Sequence, residues 1–333
     1  MRSKTGAQRW GEDRERHLLL HGRPVTKKEV PTLEEFAPRF IERHAVANRR
    51  KPSSVDSMRS IIRVHLMPRF GAKRLDAITT EQVQQLKGSL GDRAPKTVNN
   101  TLTVLNAMLK KAIEWEVLGR MPCLIRLLRV PRTTAGFHDF GDYEALVRAS
   151  QEVHDSGELI VLLGGEAGLR CGEITALEWG DVDFTKRELC IERSEWKGHV
   201  TTPKGGRLRR VPMTARLTDA LQRHRHRRGK RVLTGGDGRS FTSKMVTDCV
   251  RRAARRAGLT RTGIHILRHT FCSHLAMKGA PAKAIQDLAG HQELGTTQRY
   301  MHASPAALES AIRLLESSVI PPQNGDILET AEA

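Results

Sequence analysis

Apolar side chains recur at the three- and four-residue spacing of amphipathic helices between residues 32 and 118. The spacing predicts four helices. Thr32 with Glu35 forms a capping box before the first, and Thr79 with Gln82 forms one before the third. Their apolar sides carry, in order, Phe36, Phe40 and Ile41; Val55, Met58, Ile62 and Leu66; Val83, Leu86 and Leu90; and Val98, Leu102, Leu105, Leu109 and Ile113. We therefore expect a small helical bundle here.

The pattern changes in the second half of the chain. Helical spacing gives way to two short β-like runs, Glu188 to Glu192 and Leu208 to Met213, around a Lys-Gly-Gly turn, and then returns. We therefore expect a chain that is mainly α with a small antiparallel β-sheet, organised as an N-terminal helical bundle followed by a larger α+β domain.

Composition marks the boundaries between these regions. The segment with Pro122, Pro131 and a cluster of arginines has little periodicity, which is typical of a linker. The predicted organisation is a basic N-terminal segment at 1–30, the helical domain at 31–118, the basic linker at 119–138, the α+β domain at 139–318 and a C-terminal tail at 319–333.

The charge of the chain narrows the class of protein. Lys and Arg number 56 against 37 Asp and Glu, which gives a formal net charge of +19. Such an excess is self-repulsive unless a polyanion neutralises it, and nucleic acid is the usual polyanion. Aromatic residues make up only 4% of the chain, so duplex DNA held by its phosphates is favoured over stacked single strands. Charge alone leaves open a solubilising surface, a ribosomal protein or a membrane-surface protein.

The sequence also bears on compartment and cofactors. The longest aliphatic run, Leu159 to Leu163, is too short to cross a bilayer, and no secretory leader is recognised. Five cysteines are scattered without paired spacing, which argues against a disulfide framework or a structural zinc site. We find no Walker-type loop and no carboxylate cluster for two metal ions. The expectation is a cytoplasmic protein with no membrane association, no metal and no cofactor.

The two tyrosines of the chain differ in their surroundings. Tyr143 lies among acidic residues that would repel a phosphate, whereas Tyr300 lies between Arg299 and His302. A phenol with a pKa of about 10 needs nearby cations or a base to attack at neutral pH. Taken alone, Tyr300 is more typical of a half-buried helix residue than of a nucleophile.

Other motifs supply cations and imidazoles. His265 and Arg268 are three residues apart on one face of a predicted helix, His291 comes nine residues before Tyr300, and Arg170 lies at a turn between two helices. Two arginines can clamp the oxygens of one phosphate, and the contact strengthens as negative charge builds up in a transition state. Taken singly, each arginine is typical of a charged surface and each histidine of a core.

Together these motifs resemble the tyrosine recombinase (phage integrase) family. The motifs stand in the family's order and spacing: Gly168-Leu-Arg170-Cys-Gly-Glu173, Lys204-Gly-Gly-Arg-Leu-Arg-Arg-Val-Pro212, His265-Ile-Leu-Arg268-His-Thr-Phe, Leu288-Ala-Gly-His291 and Thr297-Gln-Arg-Tyr300-Met-His302. The helical block before them is similar to the family's SAM-like core-binding domain, and the α+β domain then corresponds to its catalytic domain. His269, within the third motif, is interpreted as a core histidine.

The resemblance implies a metal-independent site-specific recombinase that cuts and rejoins duplex DNA, for integration or excision of a mobile element. Tyr300 would attack the scissile phosphate, form a 3′-phosphotyrosyl link and release a 5′-hydroxyl. Lys204 would protonate the leaving oxygen, although the arginines that follow it in the turn are alternatives for that role. His265 would assist proton transfer at the tyrosine.

For the remaining motif residues, the resemblance implies binding and positioning roles. Arg170 and Arg268 would hold the phosphate oxygens, His291 would hydrogen-bond the phosphate, and Glu173 would orient the cluster. The implied partners are double-stranded DNA, a homo-tetramer on paired sites and a DNA-bending accessory protein. A C-terminal helix from Ser304 would dock on a neighbouring subunit or, alternatively, pack on its own domain.

Several alternatives stay open at this point. The same fold would serve a type IB topoisomerase-like enzyme or a replicon dimer-resolving strand transferase, and a non-catalytic DNA-binding protein is a third reading. Only about thirty residues precede the helical block, which leaves arm-site binding undecided. Two basic stretches, from Arg223 to Arg231 and from Arg251 to Arg256, are candidates for phosphate contact or for a solvated face.

Overall fold

A computed structural model describes residues 4–21, 29–131, 136–206, 208–226, 229–235 and 238–301. The chain divides into two compact units, Met1–Pro131 and Arg132–Ala333. The predicted helix from Ser304 and the tail at 319–333 lie outside the described residues, as does His302.

The first unit is helical, as its apolar spacing predicts. Its α-helices are α1 (Lys4–His21), α2 (Leu33–Phe40), α3 (Pro52–Ile61), α4 (Met67–Phe70), α5 (Thr80–Ser89) and α6 (Pro95–Glu114). A π-helical turn, Ile41–Val46, extends α2, and a second, Ile62–Leu66, joins α3 to α4. The four predicted helices are confirmed, with the second running through Pro68 to Phe70.

Local capping chemistry fixes where two of these helices begin. The Thr32 hydroxyl accepts a hydrogen bond from the Glu35 amide, and the Glu35 carboxylate accepts one from the Thr32 amide. Thr79 and Gln82 make the same reciprocal pair before α5. Both predicted capping boxes are therefore confirmed, and each satisfies two amides that the helix leaves without partners.

The second unit contains two small antiparallel sheets and eight α-helices among its described residues. The helices are α7 (Phe140–Val153), α8 (Gly157–Gly165), α9 (Cys171–Ala176), α10 (Ala215–His224), α11 (Ser243–Arg256), α12 (Ile264–Met277), α13 (Ala282–Ala289) and α14 (Leu294–Met301). The strands are β1 (Val182–Asp183), β2 (Glu188–Ile191), β3 (Ser194–Trp196), β4 (His199–Thr201) and β5 (Arg209–Pro212). The predicted mainly helical class with a small antiparallel sheet is confirmed.

The structure contains the two predicted strands and three that the sequence did not predict. The two predicted runs become β2 and β5, which pair directly with Leu189 opposite Val211, and β1 pairs on the other side of β2. Between them lies a separate β3–β4 hairpin that the sequence did not predict, because its polar residues show no apolar alternation. Its turn uses Lys197 and Gly198 at positive φ, the conformation of a tight hairpin turn.

Helix α8 forms the centre of the second unit. Gly157 and every residue from Leu159 to Gly165 are buried. Two glycines allow its neighbours to approach closely. A Cβ at Gly164 would lie 2.8 Å from the Leu267 side chain on α12, and one at Gly165 would lie 2.3 Å from the Tyr143 ring on α7. This packing holds α12 against the turn from α8 to α9, where the candidate site residues meet. Tyr143 is buried there, and its hydroxyl lies 3.5 Å from the Val161 carbonyl.

Among the described residues, no helix combines the length and hydropathy of a transmembrane span.

Candidate active site

Arg170 is held at the start of α9 by local and distant contacts. Gly168 has a φ of +64°, which lets the chain turn sharply after α8. Arg170 is then the N-cap of α9, and its amide and Nη1 donate to the Glu173 carboxylate at 2.9 and 2.8 Å. Its Nη2 donates to the Gly290 carbonyl at 2.8 Å, after the end of α13. These contacts fix the guanidinium between two elements that are far apart in sequence.

Glu173 is 1% exposed and binds a second arginine. Arg209, on β5, donates to both carboxylate oxygens at 3.1 and 2.7 Å, and its Nε donates to the Leu288 carbonyl. Burial alone would raise the pKa of Glu173, but the hydrogen bonds and charge of Arg209 and the charge of Arg170 lower it to about 2. Glu173 is therefore ionised, and the two arginines that it binds link α9 and β5 to the end of α13.

Arg209 is a site residue that sequence reasoning named only as a substitute for Lys204. The signal for its inward orientation lies in β5, where Arg209 and Val211 alternate as buried positions. A charge at an apolar-facing strand position needs a buried partner, and Glu173 is that partner.

Arg268, on α12, is 6% exposed and points towards the same region. Its Nη1 donates to the Gly168 carbonyl at 2.6 Å, whereas its Nη2 is buried without a hydrogen-bond partner among the described residues. Burial, followed by the charge of Arg170, lowers the pKa of Arg268 to about 10. The guanidiniums of Arg170 and Arg268 are neighbours, and Nη2 of Arg268 is a buried donor that can bind an anion. A phosphate oxygen between the two arginines would accept this hydrogen bond.

His265 and His291 are both held as neutral imidazoles near these arginines. His265 keeps an exposed edge, but burial of the rest of its ring and the charges of Arg268 and Arg170 lower its pKa. Burial, with the same two arginines, lowers the pKa of His291 to about 4. The Nδ1 atom of His291 is 2.9 Å from the hydroxyl of Thr297, which orients the ring.

Lys204 lies on the turn between β4 and β5 and is exposed. It lines a cleft of about 250 Å³ with Arg170 and His291. The turn packs closely on the segment that follows α13. A Cβ at Gly205 would lie only 2.7 Å from Nε2 of Gln292. The structure therefore brings together the predicted lysine, arginine and histidine from three distant segments.

Tyr300, on α14, is 5% exposed and packs beside Cys272 and Ala289. Burial and the nearby Cys272 raise the pKa of Tyr300 to about 12, although the charges of Arg268 and Arg299 act to lower it. Its ring stacks on that of His291, with centroids 6.0 Å apart and planes 7° apart. The predicted nucleophile thus lies beside one of the residues that line the Lys204 cleft.

The hydrogen-bond partner of Tyr300 is one that the sequence did not predict. Nδ1 of His269, interpreted from the sequence as a core histidine, lies 2.6 Å from the Tyr300 hydroxyl. His265 and His269 are four residues apart and share a face of α12, so spacing alone could not say which imidazole the tyrosine meets.

The arrangement has the groups needed for phosphoryl transfer. Two guanidiniums, a lysine and neutral imidazoles can bind a phosphodiester and stabilise charge in its transition state, and the phenol is the candidate nucleophile. Within the part of the chain that the structure describes, no three His, Cys, Asp or Glu side chains converge on a metal position.

Comparison with known families identifies the family of this chain. The model of the phage integrase family matches residues 139–307, and the model of the phage integrase N-terminal SAM-like domain matches residues 32–90. The chain belongs to the phage integrase family. It is therefore a tyrosine recombinase, an enzyme of site-specific DNA recombination.

Curated relatives of this integrase-family chain agree. A "tyrosine recombinase XerC-like" protein of Caldanaerobacter subterraneus subsp. tengcongensis is 25% identical, over 75% of this chain and 74% of the relative. The ICEBs1 integrase of Bacillus subtilis is 26% identical, over 77% of this chain and 75% of the relative. The tyrosine recombinase XerA of Thermococcus onnurineus is 34% identical, but over only 48% of this chain and 57% of the relative.

Solved integrase structures share the fold. The Tn1549 transposon integrase in complex with transposon right end DNA superposes with a TM-score of 0.72 at 21% identity, covering 86% of this chain and 100% of that chain. A lambda integrase dimer bound to a COC′ core site gives a TM-score of 0.69 at 16% identity, covering 89% of this chain and 87% of that chain. At these identities the likeness shows the fold of the tyrosine recombinases, including the SAM-like N-terminal unit.

Proposed function

We propose that Tyr300 is the nucleophile with which this recombinase cuts DNA, and that Arg170, Lys204, Arg268 and His291 bind and activate the phosphate. The observation that carries the proposal is the convergence of Arg170, Lys204 and His291 on one cleft, with the Tyr300 ring stacked on His291. Each of these residues comes from a different segment, so their meeting is not a consequence of local sequence.

In the proposed reaction, Arg170 and Arg268 hold the non-bridging oxygens of the scissile phosphate, and His291 donates a further hydrogen bond. The Tyr300 oxygen forms a bond to phosphorus as the bond from phosphorus to the 5′-oxygen breaks. Lys204 gives a proton to that 5′-oxygen, and His265 takes part in proton transfer. The phosphotyrosyl ester conserves the energy of the broken bond, so rejoining reverses the step without a nucleotide.

The proposed substrate is double-stranded DNA at specific sites. The net charge of +19 and the exposed arginines of α11 support this choice. The Tn1549 integrase structures contain transposon or circular intermediate DNA, and a lambda integrase tetramer is bound to a Holliday junction. By analogy we propose a homo-tetramer on paired sites, assisted by a DNA-bending protein, that integrates or excises a mobile element.

A nicked suicide substrate tests the assignment of the nucleophile. Duplexes from the DNA that flanks the gene carry a nick next to each candidate cleavage position, so that the short 5′-hydroxyl product diffuses away and rejoining is prevented. The wild-type chain is expected to form a covalent protein–DNA adduct that survives denaturing electrophoresis, and Tyr300→Phe is expected to form none.

Tyr143→Phe is the matched control because it removes the only other tyrosine hydroxyl of the chain. It should form the adduct at the wild-type level. An adduct that persists in Tyr300→Phe would overturn the proposal, and peptide mapping of the adduct would then identify the true nucleophile.

A further inference from the structure

We propose that His269, rather than His265, is the first acceptor of the Tyr300 proton and thus a further catalytic residue of this recombinase. The inference rests on the proposed function, since it requires Tyr300 to attack DNA. His269 stands outside the set of residues that the family's motifs imply for this sequence, and its contact with the reacting oxygen is visible only in the folded chain.

The geometry places an imidazole nitrogen directly on the reacting oxygen. Nδ1 of His269 is 2.6 Å from the Tyr300 hydroxyl, a short hydrogen bond between α12 and α14. The two rings are tilted by 36°, with centroids 5.8 Å apart, so they meet edge to edge through polar atoms rather than by stacking. A general base must lie within hydrogen-bond reach of the proton it removes, and His269 does.

The neighbouring imidazoles are placed for other tasks. His291 meets Tyr300 face to face, and its Nδ1 is 2.9 Å from the Thr297 hydroxyl. His265 is one helical turn before His269 and keeps an exposed edge, where a DNA phosphate can approach. Among the described residues, the hydrogen bond of the Tyr300 hydroxyl is with His269.

The electrostatics of the pair fit a base and its acid. Burial, followed by His265 and Arg268, lowers the pKa of His269, so the imidazole is neutral and able to accept a proton at physiological pH. Burial raises the pKa of Tyr300 to about 12, so the phenol keeps its proton in the absence of an acceptor. The charged and titratable groups around the pair are His265, Arg268 and Cys272 on α12, Arg299 on α14, and His291 after α13.

The proton balance of the step is closed. The Tyr300 proton moves to Nδ1 of His269 as the phenolate oxygen bonds to phosphorus, and the bond to the 5′-oxygen breaks. That oxygen takes its proton from Lys204, and the negative phosphate between Arg170 and Arg268 stabilises the imidazolium. In rejoining, the 5′-hydroxyl returns its proton to Lys204 and His269 returns one to Tyr300. No other reactant is required.

Two substitutions separate the base from a merely structural histidine. His269→Ala removes the imidazole, whereas His269→Asn keeps a polar atom near the position of Nδ1 but cannot accept a proton in this pH range. Both are expected to slow single-turnover adduct formation on the suicide substrate by about 100-fold or more. In wild type the rate should rise with pH as His269 deprotonates, and this rise should be absent in both variants while DNA binding is retained.

His274→Asn is the matched control. His274 lies on the same helix, and its Nε2 contacts the His138 carbonyl instead of the tyrosine. This variant should keep the wild-type rate and pH profile. The inference is overturned if His269→Asn has the wild-type rate and pH profile. It is also overturned if His269→Ala leaves the rate and the pH profile unchanged while Tyr300 still forms the adduct. Failure of wild type to form any Tyr300 adduct would instead overturn the proposed function.

A spectroscopic readout is independent of activity. In a Tyr143→Phe background, Tyr300 is the only tyrosine of the chain, so a ¹³Cζ-tyrosine label gives a single resonance. Loss of the hydrogen bond in His269→Ala should shift this resonance, and His274→Asn should leave it in place. An unshifted resonance in His269→Ala would show that the pair does not exist in solution and would overturn the inference.

Discussion

At the residue scale, Glu173 positions an arginine of the candidate active site. Its carboxylate binds Arg170 and Arg209 at the same time and is itself inaccessible to solvent. Removing one member of a buried ionic cluster leaves the others charged and unpaired, which costs more than the intact cluster contributes. Glu173 therefore governs both the stability of the second unit and the position of Arg170.

Glu173→Gln should lower the free energy of unfolding of the second unit by about 3–5 kcal/mol, because the buried Arg209 and the half-buried Arg170 lose their counter-charge. Urea unfolding followed by hydrogen exchange of α9 and β5 peptides measures this change. Adduct formation on the suicide substrate should fall as well, since one of the two oxygens that accept hydrogen bonds from Arg170 becomes an amide nitrogen.

The matched control is Asp287→Asn on α13. Asp287 pairs with Lys283 at 2.9 Å, but both side chains are more than half exposed. Exposed pairs contribute about 0–1 kcal/mol, so this variant should unfold close to wild type. Equal effects of the two substitutions would contradict a special role for the buried cluster.

At the scale of single elements, α11 separates an apolar from a basic face. Val246, Cys249, Val250, Ala253 and Ala254 are buried, and the four arginines between 251 and 256 are exposed. Met245, one position before the buried Val246, is 44% exposed.

Two of the exposed arginines on α11 are available for DNA. Arg251 pairs with Asp248 and Arg256 with Glu152, whereas within the described residues no carboxylate lies within salt-bridge distance of Arg252 or Arg255. The latter two line a cleft of about 450 Å³ with Met245. We propose that this face contacts DNA phosphates.

Replacing Arg252 and Arg255 together by alanine should weaken DNA binding and flatten the plot of log affinity against log salt by about two, one for each lost phosphate contact. Fluorescence anisotropy at several salt concentrations measures the slope. The control replaces Lys186 and Lys283, two exposed lysines on other elements, and should leave the slope nearer to that of wild type. A slope unaffected by the α11 substitutions would favour a solvated face.

At the scale of the whole molecule, a chain with a net charge of +19 keeps several histidines of its second unit neutral. Burial lowers the pKa values of His138, His265, His269, His274 and His291. In the unfolded chain these groups return to a pKa of about 6.5. The unfolded state therefore binds more protons than the folded state below that pH, and folding stability falls as pH decreases.

We expect the free energy of unfolding of the second unit to fall as pH is lowered from about 6.5 towards the His291 pKa of about 4. A second loss should follow between the ordinary Glu173 pKa of 4.5 and its folded value of about 2, because protonation removes the carboxylate that pairs with Arg209. Hydrogen exchange of α12 peptides at a series of pH values measures both. Protection that stays constant between pH 7 and 5 would contradict the expected histidine contribution.

Phosphate binding should raise the pKa values of two of these histidines, which burial and the nearby arginines lower. A DNA phosphate near Arg170 and Arg268 offsets the positive charge that lowers the pKa values of His265 and His291. DNA binding should therefore be coupled to proton uptake, which links recognition at the level of the molecule to the protonation of single site residues.

The sequence by itself determined the features that depend on near neighbours. Helix boundaries follow from periodicity and from capping pairs three residues apart, such as Thr32 with Glu35. The contact of Arg170 with Glu173 is of the same kind, and the position of Arg170 at the turn could be predicted. The two paired strands follow from alternating apolar residues, and the order of five motifs was sufficient to predict the family.

The tertiary structure alone decided which distant groups meet. Arg209 and Glu173 are 36 residues apart, His269 and Tyr300 are 31 apart, and Arg170 reaches a carbonyl 120 residues away. Residue spacing cannot distinguish two histidines on the same face of a helix. Only the packing of α14 on α12 selects His269 over His265 as the partner of the tyrosine. Local periodicity fixes which way a side chain faces, and the global packing of elements fixes what it faces.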